Sequence, residues 1–86
     1  MEIVYSEKSS KQLMKISKTD KKNARMIIGK IEEYAQNPYG RYDIKVLKGK
    51  LATFKRLRAG DYRIIFEDER DIMHIYEIKH RKKAYA

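Results

Sequence analysis

Residues 56–66 read RLRAGDYRIIF, and their alternation points to a sheet: Arg56 and Arg58 flank Leu57, Ala-Gly-Asp interrupts, and Tyr62 to Phe66 resume with β-branched and aromatic residues. Successive side chains of an extended chain point to opposite faces, so a period of two broken by a glycine turn predicts an antiparallel hairpin and not a helix. The pattern continues in both directions. IKVL (44–47), TFKRLR (53–58), YRIIFE (62–67) and IMHIYEI (72–78) are strand candidates separated by KGK, AGD and DERD. AGD and DERD are short enough for tight hairpins, which makes the last three strands a meander.

Upstream the period changes to 3.6. Ala24, Ile27, Ile28, Ile31, Tyr34 and Ala35 fall within about 120° of one another on a helical wheel, while Lys22, Arg25, Met26 and Glu33 point elsewhere. An amphipathic helix over 20–36 is expected; Thr19 or Asp20 caps its start, and QNPYG, with the only proline, ends it. Before it, EIVY (2–5) reads as a short strand, and Ser6 suits the N-cap of a helix through EKSSKQLMKIS, where Leu13 and Ile16 lie three apart. The expected fold is α+β in the order β-α-α-β-β-β, a small antiparallel sheet with both N-terminal helices packed on one face. Residues 1–86 form one domain, because a core this small buries only about 60–65% of the unfolded surface and cannot be divided.

Charge narrows the function. The chain carries 21 Lys+Arg against 12 Asp+Glu, a net +9 with a pI near 9.8. Residues 1–43 contribute +3 and residues 44–86 contribute +6, so the second half is the candidate surface for a polyanionic partner. With no cysteine, a disulfide framework and a thiolate metal site are excluded, and the two histidines lack metal-ligand spacing. The four glycines are isolated, which excludes a glycine-rich phosphate loop. MEIVYSEKSS has no apolar core of a signal peptide and the apolar residues never run long enough to span a membrane, so a soluble, cytoplasmic protein without a cofactor is expected.

Parity then picks out residues. If Leu57 packs on the helices, Arg56 and Arg58 both project from the uncovered sheet face, with Arg63 across the hairpin. Planar guanidinium forks bind two phosphate oxygens together and stay charged at any working pH. Exposed strands also carry Arg and Lys simply to discourage edge pairing, and spacing alone does not separate the two uses. The terminal KHRKKAYA (79–86) adds His80, a proton-transfer candidate near neutral pH, and Tyr85, a donor or stacking surface; a terminal basic run also serves as a solvated tail. His74, at the parity of Ile72 and Tyr76, reads as a strand packing residue.

LKGKLATFKRLRAGDYRIIFE followed by IYEIKHRKKAY, after two helices, resembles the RelE/ParE superfamily of toxins from bacterial and archaeal type II toxin–antitoxin pairs. The resemblance covers nearly the whole chain. It implies the RelE-like fold and two competing functions, since RelE-type members are ribosome-dependent endoribonucleases that cut mRNA in the A site and ParE-type members poison DNA gyrase. The RelE branch implies roles for Arg56, Arg58, Arg63, Arg81 and Tyr85; with His80 added for its proton chemistry they form the candidate catalytic set, with Lys55, Arg56, Arg58, Lys82 and Lys83 as candidate RNA contacts and no metal. That branch commonly has lysine on the strand where this sequence has Arg56 and Arg58. The resemblance further implies a cognate antitoxin, assembly into a toxin–antitoxin hetero-oligomer, and mRNA on the ribosome as substrate. An inactive, antitoxin-holding relative is the third reading.

Overall fold

Ser6 opens the first helix as its side chain predicts, accepting from the Ser9 backbone N–H at 3.0 Å. In the computed structural model, which describes residues 1–47 and 54–82, α1 runs over Glu7–Thr19 and α2 over Lys21–Gln36. Asp20 caps α2 by accepting from Asn23 N at 3.2 Å. The strands are β1 (Glu2–Tyr5), β2 (Ile44–Val46), β3 (Lys55–Ala59), β4 (Tyr62–Glu69) and β5 (Ile72–His80).

The sheet order is β1-β5-β4-β3-β2. β3 to β5 form the expected antiparallel meander and β2 extends it by one more antiparallel strand, while β1 pairs parallel to β5, so the sheet is mixed and the order is β-α-α-β-β-β-β, one short strand more than the expected string. The two helices carry the chain from β1 across one face to the far edge, and the meander returns it beside β1 in the same direction. Gly60, at φ +59, takes the first place of the two-residue β3–β4 turn, where a type II′ hairpin needs glycine. A Cβ there would come within 2.8 Å of Met26 Cε. Met26, expected to point away from the core, is instead half-buried under this turn.

One face of the sheet is dry. Leu57, Ala59, Ile64, Phe66, Met73, Ile75 and Ile78 pack against Ile27, Ile31, Tyr34 and Ala35 of α2. Between Ile65 and Phe66 the register to β5 shifts, leaving Tyr76 as the extra residue of a bulge. Beyond Tyr5 the edge of β5 has no strand partner among the described residues, and α1 covers it. Ser6 and Ser9 hydroxyls donate to the Tyr76 and Ile75 carbonyls at 2.9 and 2.8 Å, and the Gln12 side-chain oxygen accepts from Ile78 N at 2.7 Å. These side chains satisfy backbone groups that would otherwise template another strand. That explains why Ser9 is fully buried amid apolar residues.

Candidate phosphate-binding face

The face turned away from the helices is built row by row from the strand register. Arg58 pairs with Arg63, and Arg63 with Lys79, which places three cations side by side across β3, β4 and β5. In the next row Lys45, Arg56, Ile65 and Glu77 are neighbours. The adjoining end of the face is aromatic: Phe54 and Tyr76 lie 5.0 Å apart by ring centroid, and His74 stacks on Tyr76 at 6.2 Å. Leu57, between the two arginines, is buried on the opposite side, so parity does separate them from the core.

Two carboxylates temper this cluster. Asp43 Oδ1 lies 2.9 Å from Arg56 Nη2 and its Oδ2 lies 3.8 Å from Arg58 Nη1. Glu77 pairs with Lys8 at 2.8 Å and Lys79 at 3.2 Å; burial works against its charge, but these two ammonium groups hold its carboxyl below the usual range. Arg56 Nε is buried without a hydrogen-bond partner among the described residues. Such a face can bind and neutralise a phosphodiester; arginine, charged at any working pH, cannot serve as its base.

Of the residues singled out in the sequence, Arg56, Arg58 and Arg63 come together on this face. Arg81 follows the end of β5, where its backbone N–H donates to the Asp61 carbonyl at 2.7 Å. His80 does not join the arginines: it pairs with Tyr62, meets that ring edge-on at 5.0 Å, and lines a hollow of about 430 Å³ against Gln12, Lys15 and Ile16 of α1. Lys82 donates its backbone N–H to His80 Nδ1 at 3.1 Å. Lys55 stands on the helix side of the sheet, because it has the parity of Leu57 and not of Arg56. Lys83 and Tyr85 lie outside the described residues. Sequence reasoning missed Asp43, Lys45 and Lys79 as members of the face; each is placed by register, which the sequence signals only once the strand pairs are known.

Lys55 has a structural task. Its ammonium lies 2.8 Å from Asp68 Oδ1, and the Tyr34 hydroxyl donates to Asp68 Oδ2 at 2.5 Å. Burial opposes the Asp68 charge, yet the bonds from Lys55 and Tyr34 prevail and hold its carboxyl below the ordinary 3.8; burial and the Asp68 hydrogen bond push the Tyr34 hydroxyl up. A carboxyl lowered by folding adds stability that is fully present above its unfolded pKa and lost as pH falls through its folded value. The thermal midpoint is therefore expected to fall below about pH 4, and Asp68→Asn to flatten that acid limb while lowering stability at neutral pH. Melting curves over pH 2–7 for both proteins check this; an unchanged acid limb in the variant contradicts it.

The family described as ParE toxin of type II toxin-antitoxin system, parDE, matches residues 3–85. None of the curated proteins matches the chain. Among solved structures it is similar to the YoeB dimer from Staphylococcus aureus, at 18% identity over 93% of this chain and 95% of that one, with a TM-score of 0.80. It is similar to a chain of the RelB-RelE antitoxin-toxin complex from Methanococcus jannaschii, at 26% identity over 95% and 94%, with a TM-score of 0.68. YafQ from E. coli strain BL21(DE3) aligns at 15% identity over 99% and 98%, with a TM-score of 0.75, and this likeness and the YoeB one speak to fold alone.

Proposed function

The chain belongs to the ParE toxin family of type II toxin–antitoxin systems, and from that premise we propose that it is a cytoplasmic, ribosome-dependent mRNA endoribonuclease. The observation that carries this reading is the row Arg58–Arg63–Lys79 with Arg56 and Lys45 beside it, a compact cationic surface on rigid strands. Rigid donors stabilise developing negative charge without reorganising during the reaction. The substrate class is RNA. The ribose 2′-oxygen attacks the adjacent phosphorus, the bond to the 5′-oxygen breaks, and a 2′,3′-cyclic phosphate and a 5′-hydroxyl remain; DNA lacks the attacking group. One proton leaves the 2′-hydroxyl and one is delivered to the 5′-oxygen. Arg56, Arg58 and Arg63 contribute charge and not protons. With His80 turned toward α1, we assign the proton-transfer role to Tyr85, as the family resemblance implies, with a lysine of the face as the alternative. The reaction as proposed needs no metal. A cognate antitoxin is the proposed inhibitor, consistent with the RelB-RelE complex among the similar structures.

A second reading has its own support: the matching family description names ParE, the branch associated above with DNA gyrase. A translation assay with purified protein, with mRNA ends mapped, separates the two. Cuts in ribosome-bound message that carry cyclic-phosphate ends are expected; intact message together with inhibited gyrase supercoiling replaces the proposal by the second reading.

Arg56→Ala and Arg58→Ala are each expected to weaken RNA binding and to reduce the slope of log K against log salt by up to about 0.7. Arg58 is exposed, so its loss should change stability by no more than about 0.5 kcal/mol. Arg56, with its side chain 19% exposed and paired to Asp43, should cost about 1 kcal/mol. Binding titrations at several salt concentrations, with a melt of each variant, check both statements; unchanged slopes would remove these arginines from the RNA path.

A further inference from the structure

Asp43 occupies two arginines of the cationic face. Its carbonyl accepts from the Arg58 backbone N–H at 3.0 Å, extending the β2–β3 ladder one residue beyond the Ile44–Leu57 pair. That register puts Asp43 at the parity of Lys45, on the arginine face, and its two carboxylate oxygens address two different guanidiniums, Arg56 at 2.9 Å and Arg58 at 3.8 Å. One anion bridging two arginines through separate oxygens is the arrangement a phosphodiester's two non-bridging oxygens adopt. The Asp43 side chain is 54% exposed, so it can swing out. Beside it a shallow hollow lined by Lys30, Arg41, Arg58 and Gly60 offers cations toward which it can move.

We propose that Asp43 is an internal competitor for phosphate at Arg56 and Arg58, and so a specificity-determining residue of this face. The inference rests on the polynucleotide reading above and adds to it a built-in occupant. A tethered carboxylate is present at high effective concentration, so an isolated phosphate gains little by displacing it. A polynucleotide engages Arg63, Lys79 and Lys45 at the same time, and the summed contacts evict the carboxylate. Exposed ion pairs are individually weak, which keeps the displacement within reach of thermal exchange.

The test uses Asp43→Asn, which removes the charge and retains the backbone acceptor, and a fluorescent single-stranded dodecadeoxynucleotide, which lacks the 2′-hydroxyl and cannot be cut. At low salt the variant is expected to bind the probe about fivefold more tightly, the upper range for one exposed ion pair. The slope of log K against log salt should steepen by up to about 0.7. The gain should vanish when Asp43→Asn is made in an Arg56→Ala/Arg58→Ala background, and Glu7→Gln, which removes an exposed acid of α1, should not reproduce it. Equal or weaker binding by Asp43→Asn overturns the proposal, as does a gain that persists without the arginines or that Glu7→Gln matches. If the wild type binds and cuts RNA while Asp43→Asn shows no gain, this inference falls and the proposed function stands. If neither protein binds the probe, this inference falls, and the translation assay above decides the proposed function separately. Matching thermal midpoints of the wild type and the Asn variant confirm that binding differences are not folding differences.

Discussion

Tyr85→Phe is expected to lower the rate of mRNA cleavage by about 10²–10⁴-fold with binding to RNA and ribosomes close to that of the wild type. The family resemblance assigns proton transfer to this tyrosine. The cations on the open face cannot release a proton at neutral pH in the case of arginine, and His80 lies against α1 and Tyr62, on the other side of the sheet. A phenolic hydroxyl is the remaining group of the proposed set that can exchange a proton with the 2′- or the 5′-oxygen. Phenylalanine keeps the ring and deletes only that hydroxyl. A stacking role gives the opposite pattern, with Phe tolerated and Ala harmful through lost affinity. Single-turnover cleavage at saturating ribosomes separates the two, because only the proton-transfer role moves the rate under saturation. Deleting RKKAYA (81–86) is the coarser version, and cleavage should stop while the protein still folds. The core ends at Ile78, and Arg81 and Lys82 are tied to the rest of the domain through backbone N–H groups, to the Asp61 carbonyl and to His80 Nδ1. If both toxicity and cutting survive that deletion, Tyr85 is not in the mechanism.

Phe66→Ala should be the most damaging single change to the fold, at about 3–5 kcal/mol. Phe66 is fully buried in β4 and meets the Tyr34 ring edge-on at 5.0 Å. Tyr34 in turn contacts Tyr42 at 5.3 Å and donates to Asp68, so the cavity left by the ring would undercut the polar network of Asp68 and Lys55 as well as the dry core. A small domain has a total stability of roughly 5–15 kcal/mol, and a loss of this size lowers its thermal midpoint by more than about 10 °C. Phe66→Leu retains most of the volume and should cost much less. A calorimetric melt of the two variants decides it: an alanine variant that melts within a few degrees of the wild type would show that the β4–α2 packing is not the centre of the core.

The elements were legible because they depend on local periodicity. Ile27, Ile31 and Tyr34 repeat with the helix, and the expected 20–36 became Lys21–Gln36. Leu57 between two arginines repeats with the strand, and its burial follows whatever the strand pairs with. Ser6 and Asp20 could be read as caps because capping is a contact over three residues. Met26 misled because the group it touches belongs to a turn far along the chain, and no helical wheel contains that turn.

Local spacing along the chain was enough for the α+β class, the two helices, the hairpin around Gly60 and the parity that sets Arg56 and Arg58 apart from Leu57. Each follows from backbone sterics and spacing within a few residues. Long-range packing fixed the rest: β1 lies parallel to β5, α1 seals the β5 edge through Ser9 and Gln12, His80 faces away from the arginines, and Asp43 occupies two of them. Those outcomes join residues far apart in the chain. Their geometry depends on which strands become neighbours and in what register, a choice made by burial of the whole apolar face at once and written in no local stretch of the chain.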